Sequence, residues 1–146
     1  MIYTTEQGFK THVGNEFFEV YCTKEDGTTD DQAIDDINKD AVSEIELYLR
    51  GVYPLPLQEP DRIVTVLTCD IMKFRFYKKR DEANIPDNIV ALYKGSLKTL
   101  EKIKSRSLVL NISDEESQTD NPVKKSRIKY TTSPRKFGAG FTGYLK

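Results

Sequence analysis

Histidine is the side chain best suited to moving protons near neutral pH, and this chain has one, His12. No cysteine or carboxylate stands at a ligand spacing from it, so neither a zinc site nor histidine-based catalysis is indicated. A surface or helix-end position is expected. Cys22 and Cys69 lie far apart with no metal-ligand pattern around them, and read as reduced, half-buried small residues. Asp26-Gly27, followed by Asp30 and Asp31, has the composition of a calcium loop but not its register. Setting Gly27 at the turn position puts Cys22 and Lys24 where oxygen ligands belong and Ala33 where the bidentate glutamate belongs. Asp35 and Asp36 are adjacent, so on a helix they diverge, as solvated surface residues do and a catalytic dyad does not. Gly138-Ala139-Gly140 lacks the preceding strand and following helix of a phosphate loop. No catalytic, metal or cofactor-binding set emerges, and a non-enzymatic protein is expected.

Charge is the stronger signal. The net charge of -1 conceals an acidic first third, with Asp26, Asp30, Asp31, Asp35, Asp36 and Asp40 crowded together, and a basic end after Asp120. That end carries Lys124, Lys125, Arg127, Lys129, Arg135, Lys136 and Lys146 with no acidic residue among them. Opposite signs at the two ends suit head-to-tail contact between copies. A second basic cluster, Lys73, Arg75, Lys78, Lys79 and Arg80, opens the alternative of a non-specific DNA-binding accessory protein. A sequence-reading regulator is disfavoured, because no helix-turn-helix spacing is present.

The elements that must carry these residues are helical. Thr4 or Thr5 can cap a short helix ending near Gly14, and a brief apolar piece, 17–21, follows before the polar Asp-Gly loop of 23–29. A long helix opens at Asp30 or Asp31 and ends at Gly51, with Ile34, Ile37, Ala41, Ile45, Tyr48 and Leu49 forming one stripe. Two prolines make 52–57 an extended crossing. Pro60 then fits the first turn of a second long helix, whose stripe is Ile63, Val64, Leu67, Ile71, Phe74 and Tyr77 up to Arg80. A third runs from near Pro86 to about Ser105, with Ile89, Leu92, Tyr93, Leu97, Leu100 and Ile103 inward and Lys94, Lys98, Lys102 and Lys104 outward. The segment 108–112 reads as a short strand and 113–122 as a polar linker. The expected fold is all-α: a small bundle of three longer helices plus short N-terminal helices, with an extended C-terminal arm. The expected division is 1–106 helical domain, 107–122 strand and linker, and 123–146 basic and aromatic arm.

With 146 residues, 38% hydrophobic and 31% charged, the chain suits one helical core plus an extension. No apolar run approaches a bilayer's thickness and the first residues do not form a secretion signal, so no membrane partner and a cytoplasmic site of synthesis are expected.

Several stretches together resemble the Mu-like prophage head-region family, related to the head-to-tail adaptor or head-completion proteins of tailed phages. They are the opening Met1 to Glu6, the Asp-Gly loop leading into an acidic helix, Glu44 through Leu57, and Thr68-Cys69-Asp70-Ile71 with Phe76 to Arg80. The likeness covers Met1 to about Ser105, and its most specific part is the structural motif Tyr48, Leu49, Tyr53, Pro54, Leu55, Pro56 and Leu57. Ser133 to Phe137 and Gly140-Phe141 look like the family's closing basic and aromatic motif.

The resemblance implies a structural virion protein at the head-to-tail junction: a connector subunit in a dodecameric ring between portal and tail, with packaged DNA passing through. Its partners would be further copies of itself, the portal protein and a tail terminator or neck protein, with non-specific DNA contact. Residue chemistry then suggests roles. Asp31, Asp35 and Asp36 of one subunit would meet Lys78, Lys79 and Arg80 of the next, fixing ring register more than affinity. The arm would dock Phe137, Phe141 and Tyr144 on the portal, with Arg135 and Lys136 pairing acidic groups there.

Overall fold

The computed structural model describes residues 2–112; the linker 113–122 and the arm 123–146, including Arg135, Lys136, Phe137, Phe141 and Tyr144, lie outside them. Five α-helices follow in order: α1 Glu6–Val13, α2 Asn15–Tyr21, α3 Asp31–Leu49, α4 Arg62–Arg80 and α5 Asp87–Lys104, with a 3-10 turn at Glu82–Asn84. The described body is all-α, with no β-strand among the described residues beyond two isolated bridges, Thr23 with Thr29 and Arg50 with Tyr53.

Side-chain caps set most helix starts by accepting a free first-turn amide. Thr5 Oγ1 takes Gly8 N at 3.0 Å, Asp30 takes Ala33 N at 3.2 Å, and Asp61 takes Ile63 N at 3.1 Å. Pro60 therefore precedes the cap of α4 and is not in its first turn, as its sequence position suggested: Asp61 supplies the acceptor that a proline cannot. Gly51, at φ +82°, turns the chain out of α3 in the left-handed region that a side chain resists.

The three long helices form a bundle in which each contacts the other two. Ile34, Ile37, Ala41, Ile45 and Leu49 of α3 meet Val64, Leu67, Ile71, Met72 and Phe76 of α4, with Leu100 and Ile103 of α5 closing the core. Burying each large side chain contributes roughly 1.5–3 kcal/mol, against which stands the ordering of the chain. Seven stripe residues sit farther out than expected: Tyr48, Ile63, Phe74, Tyr77, Tyr93 and Leu97 are half-buried, and Leu92 is 37% exposed. A stripe predicted from spacing alone includes helix flanks that the bundle does not cover. Cys22 and Cys69, expected half-buried, are fully buried at 0% and 2% exposure. The helical hairpin of α1 and α2 packs on α4, where Phe9 stacks on Phe76 at 5.7 Å and Phe17 meets both rings edge-on.

The expected strand at 108–112 is an extended strap laid on the helices. Leu108 and Ile112 are half-buried and Leu110 is buried, while Val109 and Asn111 face out, so the alternation of a strand is present. Among the described residues no strand edge lies beside it. Leu110 N donates instead to Tyr53 Oη at 2.8 Å and Asn111 N to Asp61 Oδ2 at 2.8 Å. Packing thus continues past residue 106, and Leu110 belongs to the core.

Candidate interaction surface

Polar groups inside the bundle are used to hold helices together. Arg75 of α4 places Nη2 2.7 Å from Glu44 Oε2 of α3, and Tyr93 of α5 donates to the other oxygen of that carboxylate at 2.5 Å. Phe74 stacks on the Tyr93 ring at 4.1 Å, fixing the phenol where Glu44 can receive it. Burial, then the Glu44 carboxylate, pushes the Tyr93 phenol up to about 12. At the N-terminal end Tyr3 does similar work: its hydroxyl donates to Glu46 at 2.7 Å and accepts Leu57 N at 3.2 Å. Burial raises the Tyr3 phenol to about 12, and Glu46 adds to the rise while the Leu57 amide opposes it. Burial also raises the Cys22 thiol to about 12 and moves Cys69 upward, so both thiols are held protonated.

His12, at the C-terminal end of α1 as expected, has a partner that sequence spacing did not reveal. Its Nε2 lies 2.8 Å from Asp70 Oδ1 in α4, whose side chain is only 12% exposed. The contact spans 58 positions and pins the hairpin to the bundle. Asp70 sits on the apolar side of α4, and a carboxylate at such a position was the available signal. Among the described residues no group of three or more histidine, cysteine or carboxylate side chains is placed to hold a metal ion.

The motif Tyr48 to Leu57 braces the body. Leu49 and Leu57 are buried, Tyr48, Tyr53 and Leu55 pack against the core, and Pro54 and Pro56 face solvent, with Leu55-Pro56 in the cis form. Tyr53 joins the crossing to the strap through its hydroxyl.

The charged residues expected at a subunit interface lie on the surface in two places. On α3, Asp31 is exposed, Asp35 pairs with Lys39 at 2.5 Å, and Asp36 accepts from Gln32 at 2.9 Å. At the end of α4, Lys78 lies 3.4 Å from Glu82, and Arg80 donates to Val20 O at 2.5 Å while its guanidinium covers the Tyr21 ring at 5.0 Å. Lys79 stands between them and lines an open cleft with Lys24, Val20, Ala33 and Phe76. Lys73, one turn nearer the centre, covers Phe17 at 5.5 Å. The structure does not bring the Asp31 to Asp36 group and the Lys78 to Arg80 group into contact with each other within the subunit.

These features define a compact helical body whose buried polar groups are engaged in packing and whose charges of both signs are displayed outward, a protein suited to contact with other macromolecules. The chain belongs to the bacteriophage Mu Gp36 family, whose model matches residues 3–128, and it is accordingly a phage protein. No curated protein matches it. Among the described residues no helix is long and apolar enough to cross a membrane.

Proposed function

We propose that this protein is a structural component of the virion, a head-to-tail connector subunit that assembles into a ring between portal and tail with DNA passing through its channel. The observation that carries the reading is the family match over residues 3–128, which takes in the described body from Tyr3 onward and continues beyond it. The body's construction supports it: three long helices locked by Arg75, Glu44 and Tyr93 make a rigid unit of the kind a ring repeats.

In this reading copies of the chain are the first partner, the portal protein the second, and a tail terminator or neck protein the third. Ring contacts use the acidic face of α3 against basic residues of a neighbour. The basic and aromatic end, with Arg135, Lys136, Phe137, Phe141 and Tyr144, grips the portal, and contacts weak singly hold tightly when multiplied around the ring. The protein performs no catalytic step.

The test is the native mass of the full chain, alone and mixed with the matching portal ring, beside a chain truncated after Asp120. A portal complex carrying a ring of copies, lost on truncation, supports the connector. A chain indifferent to portal, but binding DNA with an affinity that falls steeply with salt, replaces it with the DNA-binding accessory.

A further inference from the structure

The basic cluster that the sequence places toward the end of α4 is mostly engaged within the subunit. Lys73 covers Phe17, Arg75 pairs with Glu44 and Asp40, Lys78 faces Glu82, and Arg80 covers Tyr21. A second set of cations is not. Lys94, Lys98 and Lys102 of α5, and Arg106 just beyond it, recur every fourth residue. All four are exposed, and none has an ion-pair partner among the described residues. Four residues of helix advance ~6 Å and turn ~40°, so the three lysines share one sector about 80° wide, with Ala91 inside it. Leu92, the large apolar side chain that α5 leaves open, lies ~120° around the helix from Lys98. The acidic residues of α5 are Asp87, which faces the positive end of the helix dipole two turns before Lys94, and Glu101 at the sector's edge.

This ladder costs the subunit stability. Like charges four residues apart on a helix repel each other, and here the repulsion is repeated. The negative end of the dipole offsets it for Lys102 in the last turn, but not for Lys94 and Lys98 in the middle of α5. Arg106 carries a further strain. The end of α5 closes with Arg106 N donating to Ile103 O at 3.0 Å and Ser107 N to Lys102 O at 2.9 Å, a motif whose turning residue is usually glycine. Arginine holds that place at φ +59°, in the left-handed region. No contact within the described body offsets either cost.

We propose that Lys94, Lys98, Lys102 and Arg106 form a track for the phosphate backbone of duplex DNA, so that α5 is the helix turned toward the channel. This rests on the connector reading for where the DNA lies and adds which surface meets it. The ladder's chemistry favours a polyanion over a protein partner. Lysine ammoniums are flexible point charges that impose no fixed pairing geometry, as sequence-independent contact with phosphates requires. Lysine is depleted from protein–protein interfaces, and this sector has no large apolar anchor. From Lys94 to Lys102 the ladder spans ~12 Å, the axial length of about three or four phosphates of one strand.

Anisotropy of a labelled mixed-sequence duplex, titrated with the full chain over a range of salt, tests the track. The K94Q/K98Q/K102Q variant should lose at least about tenfold in affinity at low salt, and its slope of log affinity against log salt should fall by about 2 to 3. R106G separates binding from folding: its urea midpoint should rise, because glycine suits the position, while the salt slope falls by about 1. K78Q/K79Q at the end of α4 is the control for net charge and should change affinity less than about twofold. A wild type that does not bind duplex, a ladder variant that binds like it, or a control that loses as much overturns the proposal. So does a wild type that binds polyglutamate through the ladder in preference to duplex, which would assign the surface to an acidic protein. Native mass with the portal ring is read in parallel. A chain that ignores portal but binds duplex through the ladder keeps this surface and removes the connector reading.

Discussion

Tyr93 and Arg75 reach the same carboxylate from different helices: the phenol donates to one oxygen of Glu44 at 2.5 Å and the guanidinium to the other at 2.7 Å. Three helices thereby meet at one residue. The Nε of Arg75 is buried and has no partner, so the guanidinium depends for its compensation on Glu44 and, at the longer distance of 3.5 Å, on Asp40. Glu44→Ala should cost about 2 kcal/mol, discounted from the value for a fully buried pair because Arg75 is partly exposed. Tyr93→Phe, which keeps the stack on Phe74, should cost about 1 kcal/mol. Equilibrium urea unfolding measures both, and equal effects from the two variants would mean that Glu44 is not the common anchor.

Alkaline pH should unfold the protein through the groups that burial holds protonated. Tyr3, Tyr93 and Cys22 have folded values near 12, above ordinary values of 10.0 for the phenols and 9.0 for the thiol. A value raised on folding means stability that is whole below the unfolded value and lost as pH climbs to the folded one. Urea midpoints should hold up to about pH 9 and decline from there toward pH 12. Tyr93→Phe should flatten the upper part of that decline, and an unchanged slope would assign the loss elsewhere.

Tyr53→Phe removes the acceptor for the Leu110 amide while leaving the ring in place. The strap should loosen locally, with a cost of about 1 kcal/mol. Hydrogen exchange at Leu110 should accelerate while amides in the middle of α4 keep their protection. Parallel acceleration in both places would show that strap and bundle open as one unit.

Gly95→Ala tests the helix propensity of α5. Alanine in an exposed helix interior, with open space around its Cβ, should stabilise the isolated subunit by up to about 1 kcal/mol. A raised thermal midpoint is the expected result, and a lowered one would show that this position needs glycine.

Local chemistry wrote the helices plainly. Thr5 and Asp30 are short polar acceptors placed just before apolar periodicity, Gly51 follows it, and the prolines at 54 and 56 bar helix between α3 and α4. The surface lysines of α5 were legible for the same reason, since the inward stripe fixes the outward one. Family membership was legible in the segment around Tyr48 to Leu57, whose residues the fold uses as its brace.

Tertiary structure decided what depends on partners distant in sequence. The residues 108–112 alternate like a strand, but alternation specifies only which side chains point inward; whether a strap pairs with a strand or with Tyr53 and Asp61 depends on what lies beside it. His12 shows the same limit, because Asp70, 58 positions away, leaves no mark on local spacing. So do Lys78 and Arg80, which the sequence offers as free charges and the fold partly engages with Glu82, Val20 and Tyr21. Periodicity and capping act over one or two turns of chain and can be read from order alone; ion pairs and packing act through space, and only the folded chain brings their members together.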